Sequence, residues 1–122
     1  MKKLSVIAWV VIAALSTFYI LTSMPIPFVQ AWWHAADYDP DDRFSKRHRM
    51  ADWLVMTNAL AGLRRDEVLA KLGPPPPTDK FTDYDLVYHL DFERGFISID
   101  SEWLVMRLSP SGIIAEVEVT RD

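Results

Sequence analysis

The sequence predicts an α+β domain carried behind an N-terminal transmembrane helix, with two helices packed on a three- to four-stranded antiparallel meander sheet. Three observations predict it. An uncharged apolar run opens the chain, a helical spacing of apolar residues follows over about 42 to 72, and the period then switches to two over about 85 to 121. The chain has 122 residues, enough for one small domain beyond such a helix. Its 13 basic and 17 acidic residues are unevenly placed: Lys2 and Lys3 are the only charged side chains of Lys, Arg, Asp or Glu before Asp37. Absence of cysteine excludes disulfides, thiolate metal sites, a cysteine nucleophile and a lipidated cysteine. The four glycines form no phosphate loop, and a net charge of −4 gives no nucleic-acid footprint.

Residues 4 to 24 carry no charge. As a helix these residues would span about 30 Å, the thickness of a bilayer core. Two readings compete for residues 1–30. A cleaved secretory signal would use Val29-Gln30-Ala31 as its small-x-small site, with cleavage after Ala31. A membrane anchor fits the longer run, and Pro25 and Pro27 stop the helix where a span should end. We expect the anchor, with Lys2 and Lys3 on the cytoplasmic side and the C-terminal domain outside the cytoplasm, in a single-pass inner-membrane topology. Trp32 and Trp33 would then lie at the membrane interface, in the headgroup layer.

Residues 31–42 read as an acidic linker, since Asp37, Asp39, Asp41 and Asp42 surround Pro40. The first three match the start of a calcium loop in spacing only. Its sixth and twelfth positions would be Asp42 and His48 instead of glycine and glutamate, so a helix-capping role is expected and no metal site. The domain is expected over 43–122. Met50, Trp53, Leu54, Thr57 and Leu60 form one stripe of a helix from about Asp42 to Ala61, closed by Gly62. Arg43, Lys46 and Arg47 extend that same face, with Arg49 beside them. This places a basic cluster on turns that overhang the core, where replacement would leave folding intact. These four are the interaction candidates, for anionic headgroups or for an acidic patch on another envelope protein.

A short helix over Arg65–Leu72 starts with Asp66 and Glu67, buries Val68, Leu69 and Leu72, and stops at Gly73. Pro74 to Pro77 then form a stiff extended connector. Strands are expected over 85–90, over 102–108 and over 113–121, with Phe96–Ile99 a further segment. Ser109-Pro110-Ser111-Gly112 turns the last pair into a hairpin. Leu104 and Met106 are expected to face the helices, as are Ala115, Val117 and Val119 on the last strand.

The stretch Leu60-Ala-Gly-Leu-Arg-Arg-Asp-Glu-Val68-Leu-Ala-Lys-Leu-Gly73-Pro74-Pro75 resembles the helix–turn signature of the small SmpA/OmlA family, also called BamE-like. Tyr88 and the hairpin from Trp103 through Pro110-Ser111-Gly112-Ile113 extend the resemblance over about 60–120. It implies the family's fold, shared with the repeats of a β-lactamase inhibitor protein, and a non-enzymatic role in envelope maintenance or in a membrane protein complex. Outer-membrane assembly members begin their mature chain with a lipidated cysteine; here a membrane helix stands in its place. His34, His48 and His89 match no metal spacing, and no serine lies in a nucleophile elbow. The expectation is therefore an interaction module with no catalytic residue and no cofactor, whose partners are membrane lipid and another envelope protein, with no nucleic acid. The alternative is a secreted inhibitor-like binding domain released after Ala31.

Overall fold

A computed structural model describes residues 5–35, 46–94 and 99–122. The described residues form four helices followed by a three-stranded antiparallel sheet of order β1-β2-β3. Helix α1 covers Val6–Ser23, and its first turn is capped by Ser5, whose Oγ accepts from the Ala8 N–H at 3.2 Å. None of its residues is buried. After Pro25 and Pro27 the chain returns to the domain and forms α2, Gln30–Ala35. This corrects the expected linker and membrane interface. Trp33 is 1% exposed, inside the main core, and its indole N–H donates to the Leu72 carbonyl at 3.1 Å. An indole buried on the domain cannot also reach the headgroup layer. Only Trp32 remains outward, 45% exposed. Asp37 to Asp42 lie outside the described residues.

Helix α3 is Lys46–Met56, and it ends five residues before Ala61, the end that the apolar stripe suggests; the expected first turn from Asp42 lies outside the described residues. Asn58 decides its end. At φ 56° it takes the left-handed conformation, its N–H bonds back to the Val55 carbonyl, and the Ala59 N–H bonds to Leu54. This is a Schellman closure built on asparagine, four residues ahead of Gly62. Leu60 is still buried, but from the turn. Gly62 and Leu63 then join the sheet margin through hydrogen bonds with Ile114.

Helix α4, Arg65–Leu72, lies where expected. The Glu67 carboxylate accepts from the Arg64 N–H at 3.0 Å. At the other end Gly73 sits at φ 81° and its N–H bonds to the Leu69 carbonyl. The prolines that follow are neither helix nor strand. Strands β1 (Leu86–Phe92), β2 (Ser101–Leu108) and β3 (Ile114–Arg121) pair in sequence order. Residues 95–98, most of the further segment expected at 96–99, lie outside the described residues, and Ile99 is exposed and in no strand.

The helices cover one face of the sheet. Met50, Ala51 and Leu54 from α3, Val68 and Leu72 from α4, and Trp33 from α2 meet Leu86, Tyr88 and Leu90 of β1 and Leu104 and Met106 of β2. Leu69, Trp53, Val117 and Val119 are partly buried around this cluster. One expectation is corrected here. Ile114, not Ala115, is the inward residue at the start of β3. The ladder slips between Arg107 and Leu108, so Leu108 pairs with Ile114 and Ala115 is left out. The second sheet face is also buried: Val87, Trp103 and Val105 form their own cluster under Phe81 and Tyr84. The connector after the prolines thus returns as a strap. The Phe81 ring lies 5.9 Å from Trp103, and the strap is tied down by Lys80–Asp122 at 3.0 Å and Arg107–Asp83 at 2.9 Å. Tyr84 also donates to Glu118, and the Arg107 guanidinium lies 4.1 Å from the Tyr84 ring.

Candidate functional site

The start of α3 meets the end of α1. Arg49 donates through Nη2 to the Leu21 carbonyl at 2.8 Å and through Nε to the Met24 carbonyl at 2.9 Å. In return the Arg49 carbonyl accepts from the Ile26 N–H at 3.2 Å. The last carbonyls of a helix have no partner within it and carry its negative dipole end. A guanidinium from the folded domain supplies both donors and charge there.

Two residues earlier, Arg47 donates to the Trp33 carbonyl at 2.8 and 3.2 Å and to the His89 carbonyl at 3.3 Å, and its guanidinium lies 4.9 Å from the Trp33 ring. It therefore binds α2 to both α3 and β1. The expected basic cluster is corrected accordingly. Arg47 and Arg49 are turned onto the chain's own carbonyls, so these turns pack and do not overhang. Arg43 lies outside the described residues. Lys46 is exposed, with its ammonium 5.1 Å from the Trp32 ring centre. Lys71 of α4 sits 5.5 Å from the Phe28 ring. An exposed Lys46 and a partly exposed Lys71, each over an aromatic ring, lie on the segments that follow α1.

Beneath α3 lies a polar network that sequence reasoning missed. His48 and Asp52 are four residues apart, on one side of α3. His48 Nε2 is 3.1 Å from Glu102 on β2, and both side chains are almost wholly buried. The Arg94 guanidinium bridges Glu102, at 2.9 and 3.0 Å, to Asp52, at 3.2 Å, and the Arg94 backbone N–H adds 2.7 Å to Glu102. Burial alone would raise the Glu102 pKa. The His48 ring nitrogen and the Arg94 donors outweigh it and hold the carboxyl well below the ordinary carboxylate range. One signal was available: Glu102 shares its strand parity with Leu104 and Met106, so a charge stands on the inward face. The groups are engaged with one another, which makes the network a pin between α3 and β2.

Among the described residues no group of three or more His, Asp or Glu side chains is arranged to hold a metal ion. Compared with family models, curated proteins and solved structures, the chain has no significant match in any of the three.

Proposed function

We propose that this chain is a single-pass membrane protein whose α1 tethers an extracytoplasmic, non-enzymatic interaction module, acting in envelope maintenance or within a membrane protein complex. The observation that carries the reading is the contrast at the N-terminus. Helix α1 is uncharged, of membrane-spanning length and without one buried residue, whereas the segment directly after it is built into the core. Fourteen of its 18 residues are apolar and none is buried; such a surface needs a nonpolar surrounding, and a bilayer provides one of the right thickness. Ala31, the expected cleavage point, lies inside α2. Cleavage there would remove Ile26 and Phe28, which pack on the core, and the Gln30 amide that donates to the Ala70 carbonyl at 3.2 Å. This favours an anchor over a released binding domain.

The resemblance to the SmpA/OmlA family enters as part of the same proposal. It rests on the sequence from Leu60 to Pro75 and on the closing hairpin, which here form α4, the proline connector and β2–β3. Alkaline carbonate extraction tests the tether, and intact mass tests cleavage. The expected result is retention in the membrane pellet at full mass, with the domain removed by protease added outside spheroplasts. Loss of the residues up to Ala31, or protection until lysis, would overturn the assignment.

A further inference from the structure

The junction of α1 with α3 does more than connect two parts. We infer that the domain lies against the phospholipid surface its own helix enters, with Arg49 as the clamp and Trp32, Lys46 and Lys71 as the side chains that meet headgroup phosphates. This rests on the tether reading and adds a geometry to it.

Leu21 belongs to the last turn of α1, and the Arg49 guanidinium is 2.8 Å from its carbonyl. If α1 spans the bilayer core, Arg49 lies at the boundary of that core. The headgroup layer outside it is only roughly 5–7 Å deep on each side. Lys46 precedes Arg49 by three residues, about 4.5 Å along α3, and its ammonium holds to the exposed Trp32 ring. Lys71 and Phe28 lie where the chain comes off α1, and Pro25 and Pro27 lack the amide hydrogens that would need solvation there. Indole rings and long basic side chains are the groups that settle in this layer.

The basic Lys46 and Lys71 fit headgroup phosphates, and the covalent tether through α1 holds the contact at high salt. Distance from the membrane rises along the domain. The α3 residues next to the clamp, Arg47 and His48, meet the His89–Glu102 end of the sheet, and the Ser109–Gly112 turn closes its opposite end.

Because the chain contains no cysteine, a single thiol can be placed at will. Full-length Ala31→Cys and Ser111→Cys, both at exposed positions, are labelled with an environment-sensitive fluorophore and reconstituted in phosphatidylcholine vesicles containing headgroup spin-labelled lipid. Quenching is expected to be several-fold stronger at position 31 than at 111 and to persist at high salt. Adding Arg49→Gln should narrow the difference while leaving carbonate resistance unchanged. Equal weak quenching at both positions, in protein that still resists carbonate, overturns the docked geometry and leaves the tether standing. Release of the protein by carbonate overturns both.

Discussion

At the scale of single residues, the burial of Glu102 is the least expected feature, and it makes a sharp prediction. Removing one partner of a buried pair leaves the others uncompensated, which costs about 3–5 kcal/mol when the pair is fully buried. Arg94 is still about one-third exposed, so a smaller loss of about 2–3 kcal/mol is expected for Glu102→Gln. Urea denaturation of the full-length protein in detergent micelles measures it, and an unchanged midpoint would dismiss the pin. Arg47 offers a second case. It donates to two buried segments, so Arg47→Gln should lower stability by about 1–3 kcal/mol in the same assay. The sequence pattern alone would have it neutral. Tyr88 differs in chemistry: its hydroxyl donates to the Gly73 carbonyl at 2.7 Å, and burial pushes its pKa up to about 12. Tyr88→Phe should cost about 1 kcal/mol and remove a phenol that ionises near pH 12 from an ultraviolet pH titration.

At the scale of elements, α2 is the piece whose importance is easiest to overlook. It has six residues, too few to be stable alone, and it is held by one buried indole. Trp33→Ala should therefore cost about 3–5 kcal/mol, most of the stability of a small domain. Trp32→Ala, one position away and facing outward, should stay within about 0.5 kcal/mol in micelles. Thermal melts of the two variants side by side decide whether α2 is docked: equal melting temperatures would place both indoles outside the core. The strap over the second sheet face shows a related economy. A connector that prolines keep out of regular structure delivers Phe81 onto Trp103, and the sheet gains a second buried face without another helix.

At the scale of the whole molecule, the pH dependence of stability follows from three groups. Burial, aided by Arg47 and His48, outweighs Asp91 and lowers the His89 pKa from its usual 6.5. The folded state thus favours neutral His89, and stability falls as pH drops below about 6.5, because the unfolded chain takes the proton first. Glu102 is depressed too, so its contribution is complete above about pH 4.3 and is lost on further acidification. Tyr88 is raised, so its contribution is complete below about pH 10 and is lost as pH rises toward 12. Chemical denaturation from about pH 4 to 11 should give a plateau between about pH 7 and 10 with a decline on each side. A profile still rising on acidification through about pH 5 would contradict the burial of His89.

The apolar run, the two-residue alternation of the strands and the Gly-Pro punctuation are local signals, and they determined the N-terminal helix, α4, the hairpin and the inward placement of Leu104 and Met106. Each depends on a property that neighbouring residues carry by themselves: hydropathy, periodicity, or a backbone angle that glycine accepts and proline forbids. Where Trp33 packs, which carbonyls Arg47 and Arg49 reach, and that His48, Arg94, Asp52 and Glu102 converge depend on distances between segments far apart in the chain, such as α3 and β2. The same holds for the slip that turns Ile114 inward and for the strap over Trp103. Burial and charge pairing are settled between segments, and a basic side chain reads alike in sequence whether it meets water, a lipid phosphate or the last carbonyls of a helix. Only the tertiary structure chose among them, because only there do the unpaired carbonyls of α1 and the guanidinium of Arg49 come within hydrogen-bond distance.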